Sequence, residues 1–99
     1  MSEYSDTLRK HRRLAILEYL EACAEYTSNS AVLQDVLNGV GVTSTRDQVT
    51  TEIGWLHEQG FVLTDDRGDF VVAIATQRGV EIASGLSRHP EIQRRRPRV

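Results

Sequence analysis

Between Thr43 and Ile74 the chain reads TSTRDQVTTEIGWLHEQGFVLTDDRGDFVVAI, and its hydrophobic period changes abruptly at one glycine. Val49, Ile53 and Leu56 recur at i, i+4 and i+7, the spacing that puts side chains on one face of an α-helix. Ser44 suits the N-cap, with Asp47 three residues later to complete a capping box. Gly60 can take the left-handed conformation that closes a helix. Beyond it, residues 61–64 and 70–74 are rich in β-branched and aromatic side chains and flank the turn Asp65-Asp66-Arg67-Gly68. A helix feeding straight into a charged hairpin predicts the core of a winged helix-turn-helix.

The flanking segments complete that pattern. Leu14, Leu17, Leu20 and Ala24 line one stripe, widened by Ile16 and Cys23, and predict a first helix over residues 7–26. A second helix starts at Asn29 or Ser30, turns Leu33, Val36 and Leu37 inward and ends at Asn38-Gly39. Val40-Gly41-Val42 makes the tight turn into the third helix. After the hairpin, Thr76 caps a last helix through Leu86, with Val80, Ala83 and Leu86 as its apolar face and Gly85 and Pro90 at its end. The expected fold is mainly α with a β-hairpin wing, in the order α-α-α-β-β-α. Residues 1–6 are expected to be a flexible N-terminus and 7–87 the winged helix-turn-helix domain. Residues 88–99 form an arginine-rich C-terminal arm without periodicity, expected to be disordered alone.

Composition narrows the function classes. With 99 residues and 39% hydrophobic side chains, the chain can bury one modest core. No apolar run is long enough to cross a membrane. The basic N-terminal region is not followed by the apolar segment of a secretory signal, because Glu18 and Glu21 interrupt it. A lone cysteine, Cys23, excludes an internal disulfide and fits a reducing compartment, so a cytoplasmic location is expected. His11, His57 and His89 lack metal-ligand spacing, and there is no nucleophile elbow, phosphate loop or carboxylate pair. A non-enzymatic protein without metal or cofactor is the expectation.

The net charge of −2 hides an asymmetry. Arg88, Arg94, Arg95, Arg96 and Arg98 crowd the last twelve residues against Glu91 alone, leaving a body of seven basic and thirteen acidic residues, near −6. A DNA-binding domain is usually basic on at least one face, so this balance argues against the simplest reading.

Projected onto a wheel, the third helix offers Ser44, Thr45, Arg46, Gln48 and Thr51 as the expected contacts to base edges and phosphates. Arg67 at the hairpin tip is placed to enter a minor groove, although Asp65, Asp66 and Asp69 surround it. Arg94, Arg95, Arg96 and Arg98 are the expected sequence-independent contacts. Arg9, Lys10, Arg12 and Arg13 sit early in the first helix, against its dipole, as a basic patch for a partner or a plain solvated face. Trp55 is expected half-buried against the first or last helix, and Cys23 as a buried, inert thiol. These readings converge on a protein that binds double-stranded DNA as a homodimer, its two recognition helices about one DNA turn apart. The alternative is a protein–protein interaction module whose acidic body docks another protein.

Residues 26–83 also carry a resemblance. Asn29, the stretch 33–37, the turn near Gly41, residues 44–49 (STRDQV), 55–62 (WLHEQGFV) and 76–83 (TQRGVEIA) are similar to a small winged helix-turn-helix family encoded in Mu-like phages and their prophages. That resemblance implies a fold related to the arsenic-repressor and multiple-antibiotic-resistance regulators. Joined to the readings above, a phage origin makes the expectation a phage or prophage transcriptional regulator in the cytoplasm of a bacterial host, or, on the alternative reading, a component of phage assembly or packaging. The family tends to end in a Val-Pro-Gly-Val-basic-Pro motif, from which residues 89–94 (HPEIQR) depart.

Overall fold

A computed structural model describes residues 3–96. Helix α1 spans Glu3–Ala22 and a single 3-10 turn follows at Ala24–Tyr26. Strand β1 (Thr27–Asn29), helix α2 (Ser30–Gly39), helix α3 (Arg46–Glu58), strands β2 (Val62–Asp66) and β3 (Val71–Ala75) and helix α4 (Gln77–Ser84) complete the order. The architecture is four helices and a three-stranded antiparallel sheet, ordered β1-β3-β2.

The core is built from the apolar stripes that the sequence spacing exposes. Ile16, Leu17 and Leu20 of α1 meet Leu33 and Leu37 of α2, Val49, Ile53 and Leu56 of α3, and Ile82 and Ala83 of α4. Phe61, Val62, Ala73 and Ala75 seal that cluster from the hairpin side, and Ile92 joins it from beyond α4. Burial of this shared stripe is what holds the shorter helices α2, α3 and α4, because isolated helices of such length are marginal in water.

Several boundaries differ from the expectation. Helix α1 starts at Glu3, so Glu3–Asp6 are helical where a flexible terminus was expected, and it stops at Ala22 instead of Tyr26. It stops because Glu25 and Tyr26 both lie at φ 55°, in the left-handed region. That reversal lays Thr27, Ser28 and Asn29 beside Ile74, Ala73 and Val72 as a third strand that periodicity did not predict. The hairpin reversal spans residues 67–70, two residues later than expected, with the Arg67 amide donating to the Phe70 carbonyl.

The N-cap of α3 is Thr45, not Ser44. Thr45 Oγ1 accepts from the Gln48 amide, and Gln48 Oε1 accepts from the Thr45 amide, a reciprocal capping box in which Asp47 has no part. Asn29 caps α2 as expected, accepting from the amides of Ala31 and Val32. Gly60, at φ 81°, closes α3.

Helix α4 is pressed directly onto the chain leaving α3. Thr76 Oγ1 donates to the Gly60 carbonyl, the Thr76 amide donates to that of Phe61, and Arg78 Nη1 donates to that of Gln59. This approach requires a glycine at 79, where a Cβ atom would overlap the Phe61 carbonyl. Gly54, on the exposed side of α3, has open space around it. We therefore expect Gly79→Ala to lower unfolding free energy by about 2 kcal/mol or more, and Gly54→Ala to raise it by about 1 kcal/mol through helix propensity. Urea denaturation of the two variants checks both signs.

Candidate functional site

The chain beyond α4 does not hang free over its described residues. From Arg88 to Arg96 it folds back as a strap across α1, α3 and α4. The Gln93 amide donates to the Lys10 carbonyl at 3.1 Å, Arg95 Nη1 donates to the Ala83 carbonyl at 2.9 Å, and Ile92 is buried. This corrects the expected disordered arm: one isoleucine inserted into the core and several backbone acceptors suffice to dock a segment whose composition reads as solvated. Arg98 lies outside the described residues.

The strap is clasped by Arg13. Its Nε donates to Glu52 Oε1 at 2.7 Å, its Nη1 donates to the Glu91 carbonyl at 2.8 Å, and its guanidinium carbon stands 3.7 Å from the centre of the Trp55 ring. Both charged side chains of the Arg13–Glu52 pair are almost wholly buried, at 7% and 6% exposure. His89 of the strap sets its ring edge-on to Trp55 and Phe61, with centroids 5.3 and 5.7 Å apart. Trp55 is thus half-buried against the first helix as expected, through Arg13, and against the strap as well.

Arg12 is turned inward as well, donating from Nε to Ser44 Oγ at 2.7 Å. Burial pulls its guanidinium below the ordinary arginine range; Glu52 opposes that shift, and Arg9 and Arg13 reinforce it. Two of the four residues of the basic patch expected on α1, Arg12 and Arg13, are therefore spent inside the molecule, and Arg9 pairs with Asp6 at the surface.

What remains outward is a groove of about 640 Å³ between the strap, the end of α4 and α1. Five cations line it (Lys10, Arg88, Arg94, Arg95 and Arg96), together with Ser84, Ser87 and the Gly85 backbone. No carboxylate is among its described lining residues. Arg95 is partly committed, 4.0 Å from Glu18, whereas Lys10, Arg88, Arg94 and Arg96 make no ion pair with another described residue. Cations crowded around one concavity raise its potential well above that of isolated surface charges.

The remaining candidate residues lie on α3 and the hairpin. Ser44 is buried at 3% exposure. It receives Arg12, donates to the Val42 carbonyl and gives its amide to Asn38 Oδ1, so it organises the turn between α2 and α3 and is closed to an outside ligand. Thr45 and Gln48 are exposed but tied to each other in the capping box. Arg46 is exposed and braced by Gln34, and Thr51 is exposed. Arg67 pairs with Asp65 at 2.9 Å. Taken together, the outward side of α3 and the hairpin end expose two cations, Arg46 and Arg67, against five carboxylates: Asp47, Glu58, Asp65, Asp66 and Asp69. Sequence reasoning named Arg94, Arg95 and Arg96 as contacts but did not join Lys10 and Arg88 to them in one groove. The signal that could have found the dock was Ile92, a lone apolar residue among charges.

Among the described residues, no group of His, Cys, Asp and Glu side chains is placed to hold a metal ion, and no helix is long and apolar enough to cross a membrane. Cutting a buried ion pair strands its partner, so Glu52→Ala should cost about 3 kcal/mol. Asp65→Ala, at the exposed hairpin pair, should leave stability essentially unchanged. Parallel thermal melts distinguish the two.

The chain is 38% identical over 95 residues, 96% of its own length and 98% of the relative's, to a protein of Escherichia phage Mu whose name is uncharacterized protein gp26. It is 33% identical over 76 residues, 76% of its length and 74% of the relative's, to an uncharacterized protein of Haemophilus influenzae. No described protein family and no solved structure matches it. Alignment over nearly the full length of both chains makes this protein a member of the phage Mu gp26 family.

Proposed function

We propose that this protein binds double-stranded DNA, performs no chemistry of its own, and contacts phosphates chiefly through the strap-lined groove. The observation that carries the reading is the separation of charge. A chain of net charge −2 gathers five cations and no described carboxylate around one concavity. Duplex DNA presents a charge about every 1.7 Å of axis, and release of its counterions supplies most sequence-independent affinity.

The fold that fits the element order is a winged helix-turn-helix: α2 and α3 as the helix pair, β2 and β3 as the wing. On this reading α3 contributes less than such a helix ordinarily does. Arg46 and Thr51 are its exposed contacts, Arg46 being braced by Gln34, and the five exposed carboxylates of α3 and the hairpin end hold phosphates at a distance. Two copies on one duplex, as in a homodimer, would multiply a weak single-site affinity. A regulatory role in a Mu-like phage or prophage is consistent with such a mode. The same acidic face favours a second reading, a module that docks a basic surface of another phage protein during assembly or packaging.

Fluorescence anisotropy with a short random-sequence duplex at low salt separates the two. The Arg94→Ala/Arg96→Ala double variant should bind about tenfold more weakly, with a salt slope shallower by about 2, because each phosphate contact contributes about 0.9. Arg46→Ala should have the smaller effect. Absence of any binding by the wild-type protein at low salt would remove the DNA reading and leave the docking module.

A further inference from the structure

We propose that Arg13 is a positioning residue for the anion groove: it never meets the ligand, but it docks the strap that carries most of the groove's cations. The proposal rests on the polyanion reading of the groove. Arg13 is too buried to reach a ligand outside the molecule. All of its contacts are internal, and they tie three separate pieces of chain together: Glu52 and Trp55 of α3, its own helix α1, and the Glu91 carbonyl of the strap. On either side of that carbonyl the strap makes further anchors, His89 against Trp55 and Phe61, Ile92 in the core and the Gln93 amide on the Lys10 carbonyl.

The consequence follows from where the cations sit in sequence. Of the groove's cations, Lys10 belongs to α1, while Arg88, Arg94, Arg95 and Arg96 all belong to the strap. The two sets face each other only while the strap is docked. Undocked, the arginines become a loose cationic tail, attracted to any polyanion but presenting no shaped site. A docked strap presents them already converged, so binding does not bear the entropy of ordering the segment. Coupling of this kind is reciprocal. An anion held between Lys10 and the strap arginines must in turn hold the strap against Trp55.

Trp55 is the chain's single tryptophan, so its emission reports the dock directly. The experiment compares wild type, Arg13→Met, Arg13→Lys and Ile92→Ser for Trp55 emission and for affinity to a short random duplex. Ile92→Ser removes no charge, so any loss of affinity it causes comes from where the cations sit and not from how many there are; it also guards against misfolding of Arg13→Met. We expect both Arg13→Met and Ile92→Ser to shift Trp55 emission to the red and to weaken duplex binding about tenfold, with Arg13→Lys recovering part of both. Red-shifted variants that bind as well as wild type overturn the positioning role and leave DNA binding standing. If wild type binds no duplex, the DNA reading falls and inorganic pyrophosphate becomes the probe. Pyrophosphate that shields Trp55 from acrylamide quenching in wild type, but not in Ile92→Ser, supports the coupling; equal quenching with and without it overturns the coupling.

Discussion

The contact between Arg13 and Glu52 governs how this molecule uses its charge. Removing a guanidinium and a carboxylate from water is costly, and their mutual attraction offsets that cost only when the remaining donors and acceptors are also satisfied. Here they are. The Arg13 fork reaches Glu52 through Nε and the Glu91 carbonyl through Nη1, and its flat face lies on Trp55. No buried side-chain polar atom among the described residues lacks a partner. A satisfied ion pair of this kind specifies geometry more than it adds stability: it sets α1 against α3 and selects one path for the chain beyond α4.

That selection redistributes the electrostatics of an acidic protein. Arg12 and Arg13, which sequence order places in a basic run, are withdrawn to bind Ser44 and Glu52. The arginines near the C-terminus, which composition assigns to a solvated tail, are brought together with Lys10 instead. The outward side of α3 and the hairpin end is left with more carboxylates than cations. A member of the phage Mu gp26 family built this way concentrates its positive potential around the strap, not on α3, and its partners are to be sought there first.

The helical stripes and the hairpin were legible in the sequence because their causes are local. Val49, Ile53 and Leu56 repeat with helical spacing, and Gly60 ends the run at a positive φ that glycine tolerates. Three features were not legible. Thr27, Ser28 and Asn29 carry no strand periodicity; they become a strand because a reversal at Glu25 and Tyr26 delivers them to the free edge of β3. Ser44 has every local property of a cap, but Arg12, thirty-two positions away, claims its hydroxyl, and Thr45 takes the role. The strap depends on Ile92 finding a core and on Gln93 reaching Lys10, contacts between the two ends of the chain that no window of sequence contains. In each case a long-range partner outweighed a local preference.

The docked strap is the feature on which the functional account turns, and the Gln93 backbone amide reports it most directly, because its hydrogen bond to the Lys10 carbonyl exists only in the docked form. Native-state hydrogen exchange followed by NMR at that amide is the decisive measurement. In the full chain without any ligand, exchange there should be slowed well below the rate of an unstructured peptide. Exchange at the free-peptide rate, with the core amides of α1 and α3 still protected, would contradict it.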